Sequence, residues 1–214
     1  MLAGKRVVYY GDSTAFVGYD EGDAVPLASE SFCHLIQAAQ NITMHCIASP
    51  AMKGNFQVIA HKVLGLRGNS SAIQRFMRGL GIDWSVYCIG ANDWGSQSEG
   101  IPSYIRSMRA IIKSDIDIGT TKIHVCRPFN QYHVGAETTN DNGDTLSDYG
   151  TALAALVTEL STANPTVDIR YSDAGSWVPN TAGYYIADSA HLRANSHTLI
   201  SAAFISAWQG YGWL

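Results

Sequence analysis

A serine, a carboxylate and imidazole pair, and a side-chain amide stand out in this sequence. Together they could activate an oxygen nucleophile and hold a developing oxyanion, which is the chemistry of acyl transfer. Ser13 lies in the triplet Gly11-Asp12-Ser13, directly after the apolar run RVVYY. A small loop there could open a helix and aim both the hydroxyl and the backbone N–H of Ser13 into a cleft. Taken alone, the triplet reads as readily as a turn or helix cap. Asn92 lies in GAND, Gly90 to Asp93, which closes the apolar run SVYCIG. Its amide could donate to an oxyanion without adding a charge that over-binds the ground state, or it could simply close an Asx-turn. Asp93 would fix that loop by accepting backbone hydrogen bonds. Asp188 and His191 stand three residues apart in DSAH. On a tight turn the carboxylate can accept the Nδ1 proton and leave Nε2 as the base. His197 is the competing base, but no acidic residue stands at a comparable spacing from it.

These residues need a scaffold that brings distant segments to one edge. Hydrophobic periodicity gives short apolar runs alternating with longer amphipathic ones. Residues 6–10, 43–48, 84–89, 122–126 and 167–171 read as buried strands, and 27–40, 56–66, 102–114, 147–160 and 197–209 as helices. Strand and helix alternating about five times predict a three-layer α/β/α sandwich around a mostly parallel, five-stranded sheet, because parallel neighbours need crossover connections. In such sheets ligands bind beyond the carboxyl ends of the strands. GDSTAF, SPAMKGNF, GANDWG, RPFNQYH and the SDAGSW to DSAHLR stretch would all gather there.

Composition narrows the function classes. The 214 residues are 46% hydrophobic and 15% charged, without repeats or Pro/Gly-rich linkers, so one domain over 1–214 is expected. A formal charge of −4, with Lys and Arg scattered, offers no surface for tracking nucleic-acid phosphates. No apolar stretch reaches the roughly 20 residues of a membrane helix, and the N-terminus lacks a signal-peptide apolar region, so a soluble protein is expected. The seven histidines show no HExxH-type spacing, and neither a metal nor an organic cofactor is implied. Cys33, Cys46, Cys88 and Cys126 form no CxxC pair and read as free thiols, with a bridge between Cys33 and Cys46 as the other reading.

GDS near the N-terminus, a glycine after the second strand, GxND after the third and DxxH near the C-terminus resemble the four sequence blocks of the SGNH (GDSL-type) hydrolases. The likeness runs from Gly11 to His191. It implies the flavodoxin-like fold of that family and a serine esterase, with Ser13 as nucleophile and first oxyanion donor, Asn92 as side-chain donor, His191 as base and Asp188 as its orienting acid. Gly54, in SPAMKGNF, matches the backbone donor of the second block loosely, since the family usually has a more glycine-rich stretch there. It is either that donor or a turn residue. The absence of a GxSxG elbow argues against the α/β-hydrolase class.

Asp12, Trp94, Phe129 and Trp177 are candidates for substrate contact, since aromatic faces with polar tips suit sugar rings and aryl groups alike. Packing in the core is the alternative for each aromatic. The expected substrate is a short acyl ester, in particular an acetyl group on a carbohydrate or another small molecule. An aryl-ester or thioester hydrolase, a lysophospholipase, an acyltransferase and a non-catalytic carbohydrate-binding module are the rivals. The C-terminal WQGYGWL would pack either on a partner or on the domain itself.

Overall fold

A computed structural model describes residues 4–12, 28–48, 65–66, 70–71, 79–95, 100–130, 137–186 and 191–214. Five strands, β1 (Lys5–Gly11), β2 (Ile42–Ala48), β5 (Trp84–Cys88), β6 (Lys122–Cys126) and β7 (Asp168–Ser172), form one sheet in the order β2-β1-β5-β6-β7. Every neighbouring pair is parallel. The short strands β3 (Gly65–Leu66) and β4 (Ser70–Ser71) pair antiparallel apart from that sheet.

Alternation along β1 divides the interior in two. Val7 and Tyr9 face a cluster that holds Phe32 and Ile36 of α1 (Phe32–Gln40). Ile200, Phe204 and Trp208 of the last helix, Ala194–Gly210, complete it. Val8 and Tyr10 face the opposite cluster. It holds Tyr104, Met108 and Ile111 of the helix Ile101–Asp117 and Leu153, Leu156 and Leu160 of the helix Leu146–Ala163. With the single turn Ala91–Gly95 counted, the further helices among the described residues are α2 (Ala91–Gly95), α3 (Ile101–Asp117), α4 (Leu146–Ala163) and α5 (Ala194–Gly210). A sheet buried on both faces by amphipathic helices is the three-layer α/β/α sandwich expected from the sequence.

Two expected elements differ. The stretch 27–40 is not one helix. A 3-10 turn covers Ala28–Glu30, and α1 begins after Ser31, whose Oγ accepts the backbone N–H of His34 at 3.2 Å. A serine that can satisfy a free N–H of the first turn favours a helix start at that point. Of the expected helix 56–66, Gly65 and Leu66 lie in β3, and the remainder falls outside the described residues.

The termini of the outer helices are fixed locally. Thr145 and Asp148 form a reciprocal capping box at α4, with Thr145 Oγ1 accepting from Asp148 N and Asp148 Oδ2 accepting from Thr145 N. Beyond α5 the chain packs on its own domain. Trp213 is buried, donates Nε1–H to Asp168 Oδ2 at 2.7 Å and lies under the ammonium of Lys122, while Arg170 covers Tyr211. All four cysteines are free thiols, with Cys33, Cys88 and Cys126 buried and Cys46 exposed.

His124 and Asp115 are among the polar groups that lie wholly inside. His124 accepts the indole N–H of Trp208 through Nδ1 at 3.1 Å. Its Nε2 must then carry the proton, which it gives to Ser172 Oγ at 2.8 Å. Asp115 accepts the phenol O–H of Tyr87 at 2.5 Å. Burial raises its carboxyl to about 6, against the hydrogen bonds that oppose the rise.

Candidate active site

The carboxyl edge of the sheet is built around the register of β1 and β5. Gly11, the last residue of β1, pairs with Cys88, the last of β5, so the segments leaving these strands start side by side. From β1 the chain enters Asp12, which is 1% exposed. From β5 it passes Ile89 and Gly90 into α2, which carries Asn92 half-buried and Asp93 fully buried. Asp93 and Asp12 both act on the phenol of Tyr104, which burial first and these carboxylates after it push up. The beginning of GDS and the end of GAND thus lie within electrostatic reach of one ring. Ser13, Gly54 and Asp188 fall outside the described residues.

The bend between β5 and α2 admits glycine alone. Gly90 has a φ of +139°, and a Cβ there would meet Pro128 Cγ and Tyr104 Oη at 2.8 Å. Tyr104 also donates its O–H to Ile89 O at 2.7 Å, and Trp94 N donates to Gly90 O at 2.9 Å. The backbone leading to Asn92 is therefore held on both sides of the bend.

His191 stands half-buried at a neck where the segments 184–186 and 191–193 are joined. Its carbonyl accepts the N–H of Ile186 at 2.9 Å, and Tyr185 and Leu192 pair as an antiparallel bridge. Arg193 strengthens the neck, donating its backbone N–H to Tyr184 O and its Nε–H to Tyr185 O. Ser196 Oγ donates to Tyr184 O as well.

His197 has a different occupation. It is 1% exposed, its Nδ1 accepts the backbone N–H of Phe32 at 3.3 Å, and its ring stacks on Phe32. Burial pushes its imidazole down to about 4. A ring so enclosed, with one nitrogen spent on the start of α1, is a structural group and not the competing base.

The candidate aromatics part company. Trp94 and Phe129 are both buried in the core, and Trp94 also donates its indole N–H to Asp144 O at 3.0 Å. For these two the core reading holds, because the apolar clusters on either side of the sheet enclose them. Trp177 is half-buried and packs edge-on against Phe204 at 4.8 Å.

Arg127, in RPFN, escaped the sequence reading. It is 5% exposed at the end of β6, with Nη1 donating to Asn130 Oδ1 at 2.8 Å and Nε paired with Asp173. Its side chain threads between two glycines. A Cβ on Gly150 of α4 would come within 2.4 Å of Arg127 Cδ, and one on Gly175 within 2.1 Å of Nη2. The paired glycines are a signal legible only once their common neighbour is known. Among the described residues, no group of three or more His, Cys, Asp or Glu is placed to hold a metal ion, and no helix is long and apolar enough to cross a membrane.

No protein-family model matches the chain, and no curated protein matches it. Solved structures do. A salicylyl-acyltransferase from a tetracycline biosynthetic pathway is similar over 99% of this chain with a TM-score of 0.70 and 16% identity, and the chain spans 56% of that longer protein. An acetyl-xylooligosaccharide esterase from a Geobacillus, solved as a variant, has a TM-score of 0.64 and 16% identity over 96% of this chain and 95% of its own. A protein of Parabacteroides merdae described as a GDSL-like lipase has a TM-score of 0.63 and 16% identity over 95% and 94%. At this identity the likeness is one of fold, and the fold is that of the GDSL-type SGNH hydrolases.

Proposed function

We propose that this chain, which has the fold of the GDSL-type SGNH hydrolases, is a serine esterase that removes short acyl groups, acetyl in particular, from a carbohydrate or another small alcohol. The observation that carries the proposal is the pairing of Gly11 with Cys88. It starts the GDS and GAND segments side by side at the carboxyl edge of a parallel sheet, where such folds bind their ligands.

In the proposed reaction His191 Nε2 removes the proton of Ser13 Oγ as that oxygen attacks the ester carbonyl, and Asp188 holds the imidazole in the required tautomer. The carbonyl oxygen, now negative, accepts hydrogen bonds from Ser13 N–H, from the Asn92 amide and from Gly54 N–H. Collapse expels the alcohol, which takes the proton from His191. Water then repeats the sequence on the acyl-serine and releases the carboxylic acid. Passing the acyl group to a second alcohol in place of water is a rival reading, favoured by the likeness to an acyltransferase.

Turnover of p-nitrophenyl acetate by wild type and Ser13→Ala tests the proposal, with longer-chain esters and acetylated oligosaccharides run beside it. Activity that vanishes with the serine and declines with acyl length is the expected result. Asp188→Asn should stay folded and slow by up to about ten-thousand-fold. A folded wild type that neither cleaves any of these esters nor reacts with a fluorophosphonate would rule out the esterase and leave a binding module. Product acylated on an added sugar would identify a transferase.

A further inference from the structure

The proposed donor Asn92 rides on α2, a helix of five residues. A single turn has no stability of its own in water, so its orientation must come from outside. Two of the bonds that supply it come from the loop before α4, some fifty residues away in sequence. Asn140 Nδ2 donates to Trp94 O at 3.0 Å, and Trp94 Nε1 donates to Asp144 O at 3.0 Å.

The loop is organised to make this clasp. Asn140 Oδ1 accepts the backbone N–H of both Asn142 and Asp144 at 3.0 Å, and Asn140 N donates to Asp144 O at 2.9 Å. Thr139 and Thr145 close its base as an antiparallel bridge. With two donors on one side of the carboxamide, its oxygen is fixed inward and its nitrogen is aimed at Trp94 O. Asn140 and Trp94 thereby close a ring of hydrogen bonds through Asp144. Asn92 is two residues from the point that ring holds.

We infer that Asn140 is a positioning residue: through Trp94 it sets the place of the Asn92 amide, and hence the strength of the oxyanion hole. The inference rests on the serine-esterase proposal. An oxyanion donor works only when it is aimed in advance at the position the charged oxygen will occupy, and a misplacement of about 1 Å is costly. A loop remote from the nucleophile in sequence would thus act on the chemical step and little on substrate binding.

Asn140→Asp separates the two roles of the side chain. Its carboxylate keeps the acceptor for Asn142 and Asp144 and so keeps the loop, but it turns an acceptor toward the carbonyl of Trp94. Trp94→Phe removes the other bond while an aromatic ring still occupies the site. With p-nitrophenyl acetate as probe, each variant is expected to lower kcat by about 10-fold or more while KM changes by less than about 3-fold. In an Asn92→Ala background, Asn140→Asp should change kcat by no more than about 2-fold, because the group it aims is gone. Losses that multiply in the double variant, or an Asn140→Asp kcat equal to wild type, would overturn the assignment. So would an Asn92→Ala enzyme as fast as wild type while Ser13→Ala is dead. A wild type without turnover would instead remove the esterase proposal itself, and this inference with it.

Discussion

His197 accepts the backbone N–H of Phe32 through Nδ1, and so the second histidine near the C-terminus ties α5 to the first turn of α1. His197→Ala would leave that buried N–H without its acceptor and open a cavity beside Phe32. A loss of about 1–3 kcal/mol is expected, with ester turnover per folded molecule preserved. His191→Ala should do the opposite, abolishing turnover at nearly unchanged stability. Denaturation midpoints and p-nitrophenyl acetate rates on both variants decide it, and turnover lost with His197 alone would reassign the base.

Acid should destabilise the protein through His124. Burial holds its imidazole down at about 3, whereas an unfolded histidine titrates near 6.5. A folded value below the unfolded one means that this stability is complete above about 6.5 and is lost as pH falls toward about 3. By pH 4 the loss from this group is on the order of 3 kcal/mol. His124→Gln, which cannot titrate, should be less stable at pH 7 but show a shallower fall between pH 7 and 4. An identical slope in urea unfolding would place the acid sensitivity elsewhere.

Asp115 acts with the opposite sign. Its carboxyl is raised to about 6, above the unfolded value of 3.8, so its contribution is present in acid and is lost as pH rises from about 4 through about 6. Asn at this position can still accept the Tyr87 O–H and has no charge to bury. Relative to wild type, Asp115→Asn should gain on the order of 3 kcal/mol between pH 4 and pH 8. Equal differences at the two pH values would mean that the folded carboxyl titrates normally.

Gly175 tests the course of Arg127. A methyl group there meets the guanidinium with no room to spare, so Gly175→Ala should cost about 1–3 kcal/mol by displacing the arginine from Asp173 and Asn130. In an Arg127→Ala background, the same change should cost less than about 0.5 kcal/mol. Additive costs would show that the alanine clashes with something else.

Much of this architecture was legible in the chain because period-2 and period-3.6 burial is written locally. The strand 122–126 was located to the residue, and 147–160 and 102–114 fell within α4 and α3. What the periodicity missed depends on single capping side chains or on distant partners. Ser31 ends the 3-10 turn and starts α1 by one hydrogen bond. Trp94 reads as a pocket wall until the carbonyl that takes its indole N–H, fifty residues on, is known. Arg127 carries no signal of its own, because nothing near it in sequence announces the glycines of α4 and the 173–176 turn that admit it. Of the four sequence blocks, GAND is described in full, whereas Ser13, Gly54 and Asp188 lie outside the described residues.

The all-parallel sheet also governs how the chain reaches this state. No two neighbouring strands of the five-stranded sheet are joined by a hairpin, and the pairs Lys5 with Ile42, Ser85 with Ile123 and Val7 with Trp84 each close a loop of roughly forty to eighty residues before that sheet forms. Such contacts are bought with chain entropy first and rewarded late, so refolding from denaturant is expected to be slow for a chain of this size. β1 stands at the junction, because it must be flanked by β2 and by the much later β5. Until β5 arrives, one edge of β1 stays open to any other strand, and aggregation competes with folding over that interval.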